Sequence, residues 1–269
     1  MPAAEAPFDP AFDRASDLAL LGKAARIAGE IGLRHFRRGV VAWDKPDGHG
    51  PVTEADLEID RALRAGLMAA RPDYGWLSEE STDDPARLAA RRVFILDPID
   101  GTRAFIARDR AWAHSLAVVE GGRVIAGVVH LPMLERTYAA TLGGGATMNG
   151  LPIAASDRAD PDGAKVLATA AMMEAALWPG GVPRLDRHFR ASLAYRLCLV
   201  AEGRFDGMLT FRDTWEWDVA AGDLIAREAG ARVTTRTGAD PAYNAARPFL
   251  PGLVAGAPAL HAGLLTRLG

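Results

Sequence analysis

The chain has 269 residues, enough to bury a sizeable core in one large domain or two small ones, and its 31 basic and 34 acidic residues are mixed to a net charge of -3. That balance shows no basic stripe of the kind a nucleic-acid polymer demands. The single cysteine, Cys198, excludes internal disulfides and a cysteine-based zinc site and fits a reducing compartment, and the 6 histidines are scattered without metalloprotease spacing.

The opening segment, MPAAEAPFDPAFD, lacks the basic stretch and apolar run of a secretory leader. No run reaches membrane-spanning length, so a cytoplasmic protein without membrane partners is expected. Residues 13–38 read as a helix, with Leu18, Leu21, Ala25, Ala28, Ile31 and His35 on one face at spacings of three and four. His35 is read as a partly buried member of that stripe. DKPDGHGP is a Gly- and Pro-rich loop. A second helix runs from Thr53 to about Ala70, with Leu57, Leu63 and Leu67 inward, Thr53 and Asp56 spaced as a capping box, and Pro72 as its stop. YGWLSEES is a short strand leading into an acidic turn, and residues 93–97 form a buried strand. Two β-rich runs joined by Gly121-Gly122 predict a hairpin. RTYAATLGGGATMNG adds a strand and an Asn149-Gly150 turn, so the first half is two helices followed by an antiparallel meander.

The second half alternates. Strands are expected at 164–170, in FDGMLT, at 231–235 and at 252–255; helices at 187–202, at 217–229 with Gly230 as its stop, and at 257–267. Alternation of this kind predicts helices packed on a central sheet. Apolar residues thin out near 150–160, which divides the chain into halves 1–155 and 156–269. Cys198 reads as an inert core residue. For Trp215 and Trp217, packing is preferred over stacking on a substrate ring.

Acidic residues stand at the ends of these elements: Asp56 in PVTEAD, Glu79 and Glu80 in SEES, Asp97 and Asp100 in DPIDGT, and Asp218 in WEWDVAAGD. Taken alone, DPIDGT reads as a turn. Yet Glu79 and Asp97 each follow a short apolar run directly, and Asp218 opens an Ala-rich helix, where a carboxylate is favoured and fixed. Close carboxylates repel unless protonated or bridged by a cation. An oxygen-only set points to Mg²⁺ over Zn²⁺. Gly101 and Thr102 offer backbone N–H groups at the start of a helix, TRAFIAR, where phosphate is attracted. Together these are parts for metal-assisted phosphoryl transfer. The D-x-D-G-T signature of haloacid-dehalogenase-like phosphatases is a rival, but here the second acid lies at i+3, which removes that class's nucleophile and acid/base geometry.

PVTEAD, SEES, DPIDGT and WDVAAGDLIAREAGA occur in the order and at the spacing of the inositol monophosphatase superfamily, which the chain resembles. One departure is SEES where the family usually has Gly-Glu-Glu, a change of the flanking residue only. The resemblance implies an α/β fold, a layered αβαβα sandwich, and a Mg²⁺-dependent, lithium-sensitive phosphomonoesterase with two or three ions, with a homodimer also implied. Glu79, Asp97 and the Ile99 carbonyl would hold the first ion and Asp97, Asp100 and Asp218 the second; a third, weaker ion would sit on Glu79. Glu79 and Thr102 would orient and deprotonate the attacking water, the Gly101 and Thr102 amides would bind the phosphate, and Asp56 would tie Thr102. Lys45 is open between a place near the metals and a solvated loop position.

The partner is then a small phosphorylated metabolite. TWEWD resembles the bisphosphate nucleotidases, DGTRAFI the histidinol-phosphate phosphatases, and SLAYRLCLVAEGRFD lies where the family contacts the sugar or inositol ring. Ser192 is accordingly expected to meet a substrate hydroxyl, and Arg190, Arg196 and Arg212 to pair a second phosphate. The order of expectation is 3′(2′),5′-bisphosphate nucleotidase, then inositol-1-monophosphatase, then histidinol-phosphate phosphatase. A reading from another class, an inactive metal- or phosphate-binding regulator, is set against the intact ligand positions.

Overall fold

The computed structural model describes residues 10–46, 48 and 50–269, with the backbone alone for residues 10–12. The leader reading falls largely on residues 1–9, and Asp47 and His49 of the Gly/Pro loop are also outside the described residues. Helix α1 (Pro10–Arg38) leads to a short hairpin, β1 (Ala42–Asp44) and β2 (Pro51–Thr53), which flanks that loop and is not apparent from its composition. Helix α2 (Glu54–Ala70) begins with both halves of the capping box in place: Thr53 accepts from the Asp56 amide, and Asp56 accepts from the Thr53 amide. His35 is partly buried and pairs with Glu58 at 2.7 Å.

A seven-stranded sheet follows: β3 (Gly75–Ser78), β4 (Arg92–Asp100), β5 (Ala113–Glu120), β6 (Arg123–Leu131), β7 (Arg136–Thr141), β8 (Ala146–Met148) and β9 (Leu151–Pro152), in that spatial order. Only β3 and β4 are parallel; the rest is the expected meander, with the turn between β5 and β6 at Gly121-Gly122. Short α3 (Thr102–Ile106) lies between β4 and β5. A five-stranded sheet is built from β10 (Lys165–Leu167), β11 (Asp186–His188), β12 (Gly207–Thr210), β14 (Arg232–Thr234) and β16 (Leu253–Gly256). Strand β13 (Thr214–Trp215) pairs separately with β15 (Phe249–Leu250). The remaining helices are α4 (Leu193–Ala201), α5 (Glu216–Glu228) and α6 (Pro258–Leu268).

The layers are those of an αβαβα sandwich. Helices α1 and α2 cover one face of the seven-stranded sheet; α4 and α5 lie between that sheet and the five-stranded one, and α6 covers the outer side. An element between two sheets has no solvent face, and all nine residues of α4 are buried. Leu197 and Leu199 there each contribute roughly 1.5–3 kcal/mol by leaving water. Gly222 brings α5 against α4: a Cβ at that position would stand 2.8 Å from the Leu197 side chain. The shared core runs across residue 155, joining β4–β7 of the first half to α4, α5 and β12 of the second.

The expected helix 187–202 is corrected at its start. Residues Asp186–His188 are strand, and the helix opens at Leu193. Ser192 is extended and caps it, accepting from the Tyr195 amide at 2.9 Å, so local capping chemistry overrides the apolar periodicity. Trp215 and Trp217 stack on each other with ring centroids 4.4 Å apart.

Candidate metal centre

Strand β4 is buried along its whole length and runs through Asp100, past the Leu96 where its apolar run ends. Against β5 it pairs Asp97 with Ser115 and then Asp100 with Ala113, so one extra residue is accommodated as a bulge at Pro98-Ile99. In a regular strand, residues three apart point to opposite faces. The bulge resets that phase and brings Asp97 and Asp100 to the same side, towards α4 and α5. Asp97 Oδ1 accepts from the Ile99 amide at 2.8 Å. Asp100 Oδ2 accepts from Ser192 Oγ at 2.6 Å and from the Ala194 amide at 2.7 Å, at the start of α4.

Glu79 follows β3 immediately, and its amide donates to the Leu96 carbonyl at 3.4 Å, which fixes the acidic turn beside the end of β4. Asp218 is in the first turn of α5. Glu79, Asp97 and Asp218 thereby converge from three elements, with one oxygen of each within 4.8 Å of the others.

Such a group is electrostatically uncomfortable without a counter-charge. Burial, then Glu79, Asp100 and Asp218, push the Asp97 carboxyl well above the usual range. Burial, then Asp100 and Glu79, do the same to Asp218, against the pull of Arg212 and Lys45. Asp100 rises only to about 6, because the hydrogen bonds from Ser192 and the α4 amides oppose burial. A cation among these oxygens would relieve all three, and an all-oxygen donor set suits a hard divalent ion. The residues therefore fit the metal that the sequence pattern implies. Asp100 stands beside the compact triad, with Oδ2 spent on α4.

Lys45 is resolved by the fold. Its Nζ donates to Glu79 Oε1 and to Glu80 Oε1, each at 2.8 Å, so it lies at the acidic turn and not in solvent. Glu80, buried next to Glu79, is pushed up to about 7 despite Lys45. The expected tie between Asp56 and Thr102 is corrected. Asp56 Oδ2 is taken by the amide and hydroxyl of its own capping partner, Thr53, at 2.8 and 2.5 Å, while Thr102 Oγ1 donates to the Ile99 carbonyl at 3.0 Å. Asp56 Oδ1 is buried with no partner among the described residues, and burial raises that carboxyl to about 7. Gly101 precedes α3 with φ 97°, a left-handed conformation open to glycine at little cost.

Two substrate expectations are also corrected. Ser192 is fully buried, and its hydroxyl is committed to Asp100 and to the Tyr195 amide, so it cannot meet a substrate hydroxyl. Arg196 is 5% exposed; its Nε donates to the Arg190 carbonyl at 2.6 Å and its guanidinium covers Phe189 at 4.5 Å. Its Nε thereby holds the main chain of Arg190, and its charge bears on Asp100. Arg212 is exposed, and its charge bears on Asp218. Arg190 lines a cavity of about 370 Å³ with Arg110, Arg136, Arg204, Ala111 and Tyr195 among the other walls. The cavity adjoins the Gly101 turn, since a Cβ on Gly101 would stand 3.5 Å from both the Ala111 carbonyl oxygen and the Ser192 amide. Arg110 and Arg204 come from the loops after α3 and α4 and Arg136 from β7, and no local pattern in the sequence links them to Arg190.

The sequence pattern of the inositol monophosphatase family matches residues 13–268. The chain is 37% identical over 197 residues to an inositol-1-monophosphatase of Rhizobium meliloti, covering 70% of this chain and 73% of the other. It is 35% identical over 222 residues to a histidinol-phosphatase of Chlorobaculum parvum, covering 80% and 83%. With the 3'(2'),5'-bisphosphate nucleotidase CysQ of Aggregatibacter actinomycetemcomitans it shares 31% over 242 residues, covering 86% and 89%. The structure of an IMPase from Thermotoga maritima superposes with a TM-score of 0.79 at 28% identity, over 94% of this chain and 96% of that one. The convergence of acids on a bulged strand, the layered fold and these likenesses place the chain in the inositol monophosphatase family, a family of phosphoric monoester hydrolases.

Proposed function

We propose that the protein is a Mg²⁺-dependent phosphomonoesterase acting on a small phosphorylated metabolite, with 3′(2′),5′-bisphosphate nucleotides as the first substrate class. Inositol 1-phosphate is the second and histidinol phosphate the third. The observation that carries the reaction class is the Glu79–Asp97–Asp218 triad at the bulged end of β4, directly before Gly101 and Thr102. Glu79, Asp97 and the Ile99 carbonyl would hold one ion and Asp97, Asp100 and Asp218 a second. Bound Mg²⁺ supplies a lowered water pKa and charge stabilisation at the leaving oxygen. Glu79 takes the proton of the attacking water, Thr102 orients that water, and the Gly101 and Thr102 amides hold the phosphate. Lys45, paired to Glu79 and Glu80, balances charge at the rim of the centre. We further propose a cytoplasmic location and, as the family resemblance implies, a homodimer.

The arginine-walled cavity beside Gly101 favours the bisphosphate reading. Arg110, Arg136 and Arg190 each spend donors on the Met133 carbonyl, on Glu202 and Tyr138, and on the Phe189 carbonyl, but the four guanidinium groups keep further N–H donors and outnumber the one acid of the lining, Asp109, which favours a second phosphate there. The test is turnover of 3′-phosphoadenosine 5′-phosphate against inositol 1-phosphate with Mg²⁺, read as free phosphate. A kcat/KM ratio of at least ~10, about 1.4 kcal/mol, is expected. Arg190→Ala should erase that preference and leave inositol 1-phosphate cleavage nearly intact. Equal turnover by the wild type overturns the substrate assignment, and no release from any ester overturns the reaction class.

A further inference from the structure

The bulge that aligns the two aspartates leaves its own backbone groups to be satisfied, since an extra residue interrupts the ladder. Pro98 has no N–H. The Ile99 amide is taken by Asp97, and the Ile99 carbonyl by Thr102. The Pro98 carbonyl is left, and it accepts from Nδ1 of His114 on the neighbouring strand β5, at 2.5 Å. Two of these bonds come from residues already placed at the metal centre. The third comes from a histidine to which neither the motifs nor the mechanism gives a role.

His114 is fully buried. A carbonyl oxygen can only accept, so Nδ1 carries the proton; Nε2 is buried with no partner among the described residues, and the imidazole is neutral. Burial, aided by His130 and opposed by the bond to the Pro98 carbonyl, pushes its pKa down to about 3. The ring is wedged between Trp112, edge-on at 5.4 Å, and His130, stacked at 6.1 Å. Helix α1 closes over this group at Gly32, where a Cβ would stand 2.8 Å from Trp112 and 3.4 Å from His114. A fully buried imidazole costs desolvation unless it makes a specific bond, and here its one bond is to the peptide between Asp97 and Ile99.

We infer that His114 is a positioning residue for the metal centre: it clamps the Pro98 carbonyl from the face opposite the acids and so sets the angle at which Asp97 and the Ile99 carbonyl present their oxygens. This rests on the proposed metal-dependent function, but it is read out on binding. Groups that orient metal ligands through hydrogen bonds affect affinity by about 10–100-fold. His114→Leu removes the donor at similar volume, and His114→Asn keeps an N–H near the position of Nδ1. His114→Met is a second donor-free variant should the first not fold.

The experiment is Mg²⁺ titration by calorimetry on the folded full-length protein, with circular dichroism as the check on folding. His114→Leu is expected to weaken Mg²⁺ binding about 10-fold or more. It should raise the Mg²⁺ needed for half-maximal phosphate release equally, with KM for the ester at saturating Mg²⁺ unchanged. His114→Asn should stay within about 3-fold of wild type. A general packing role would lower thermal stability in both variants without separating them in Mg²⁺ affinity. Wild-type affinity in a folded His114→Leu or His114→Met overturns the inference, as does equal weakening in His114→Asn. If the wild type binds Mg²⁺ but cleaves no ester, the functional reading falls while the calorimetric comparison still decides the role of His114. If the wild type takes up no Mg²⁺, both fall.

Discussion

Asp97→Asn separates a metal centre from a turn, because it preserves shape and removes one charge. Asp97 is 2% exposed, and its oxygen lies within 4.8 Å of oxygens of Glu79 and Asp218. Two full charges at that distance repel by about 3.5 kcal/mol at an effective dielectric of about 20. The metal-free protein already relieves part of this by protonation, since burial and its neighbours hold Asp97 well above the usual range. The gain on substitution is therefore small, roughly 0–2 kcal/mol, and at about 2–4 °C per kcal/mol the Tm in EDTA should hold or rise by up to about 8 °C. The amide oxygen can still accept the Ile99 N–H. Mg²⁺ at about 100 times its Kd stabilises the wild type by about 2.7 kcal/mol through binding to the native state. The variant should lose that shift. Turnover should fall ~1000-fold or more, about 4 kcal/mol of barrier. The assays are melting curves in EDTA and in Mg²⁺, together with phosphate-release rates. Wild-type turnover combined with a wild-type Mg²⁺ shift in Asp97→Asn would refute the metal assignment and return DPIDGT to a turn.

Stability should depend on pH in a direction set by the buried acids. Asp56 and Glu80 are raised to about 7, so between pH 6.5 and 8 the folded state holds more protons than the unfolded one, and metal-free stability should fall as pH rises. The window starts at pH 6.5 because the buried His114 and His261, held at about 3 and about 4, make stability rise with pH below that point. Urea melts in EDTA that are flat or rising across pH 6.5–8 would contradict the assigned burial. Ser192→Ala should cost about 0.5–2 kcal/mol as a lost cap, with KM for the ester little changed; a selective rise in KM at unchanged stability would instead restore Ser192 as a substrate contact.

Much of the site was legible because its signals are local. Thr53 and Asp56 form the capping box their spacing predicts, Gly121-Gly122 turns the hairpin, and DPIDGT ends a buried strand at the centre. These features depend on residues a few positions apart, where backbone geometry limits the choices. What the spacing could not show is which of several possible partners each polar group takes. Ser192 could have met substrate but is locked on Asp100. Lys45 was open between solvent and the acidic turn until the fold brought Glu79 and Glu80 within 2.8 Å. The grouping of Arg110, Arg136, Arg190 and Arg204 around one cavity, and the reach of His114 across to the Pro98 carbonyl, join strands and loops far apart in the chain. Competition among donors and acceptors is decided by distances that exist only once the two sheets close on α4 and α5. The identity of the acids therefore belongs to the sequence, while their alignment belongs to the tertiary structure.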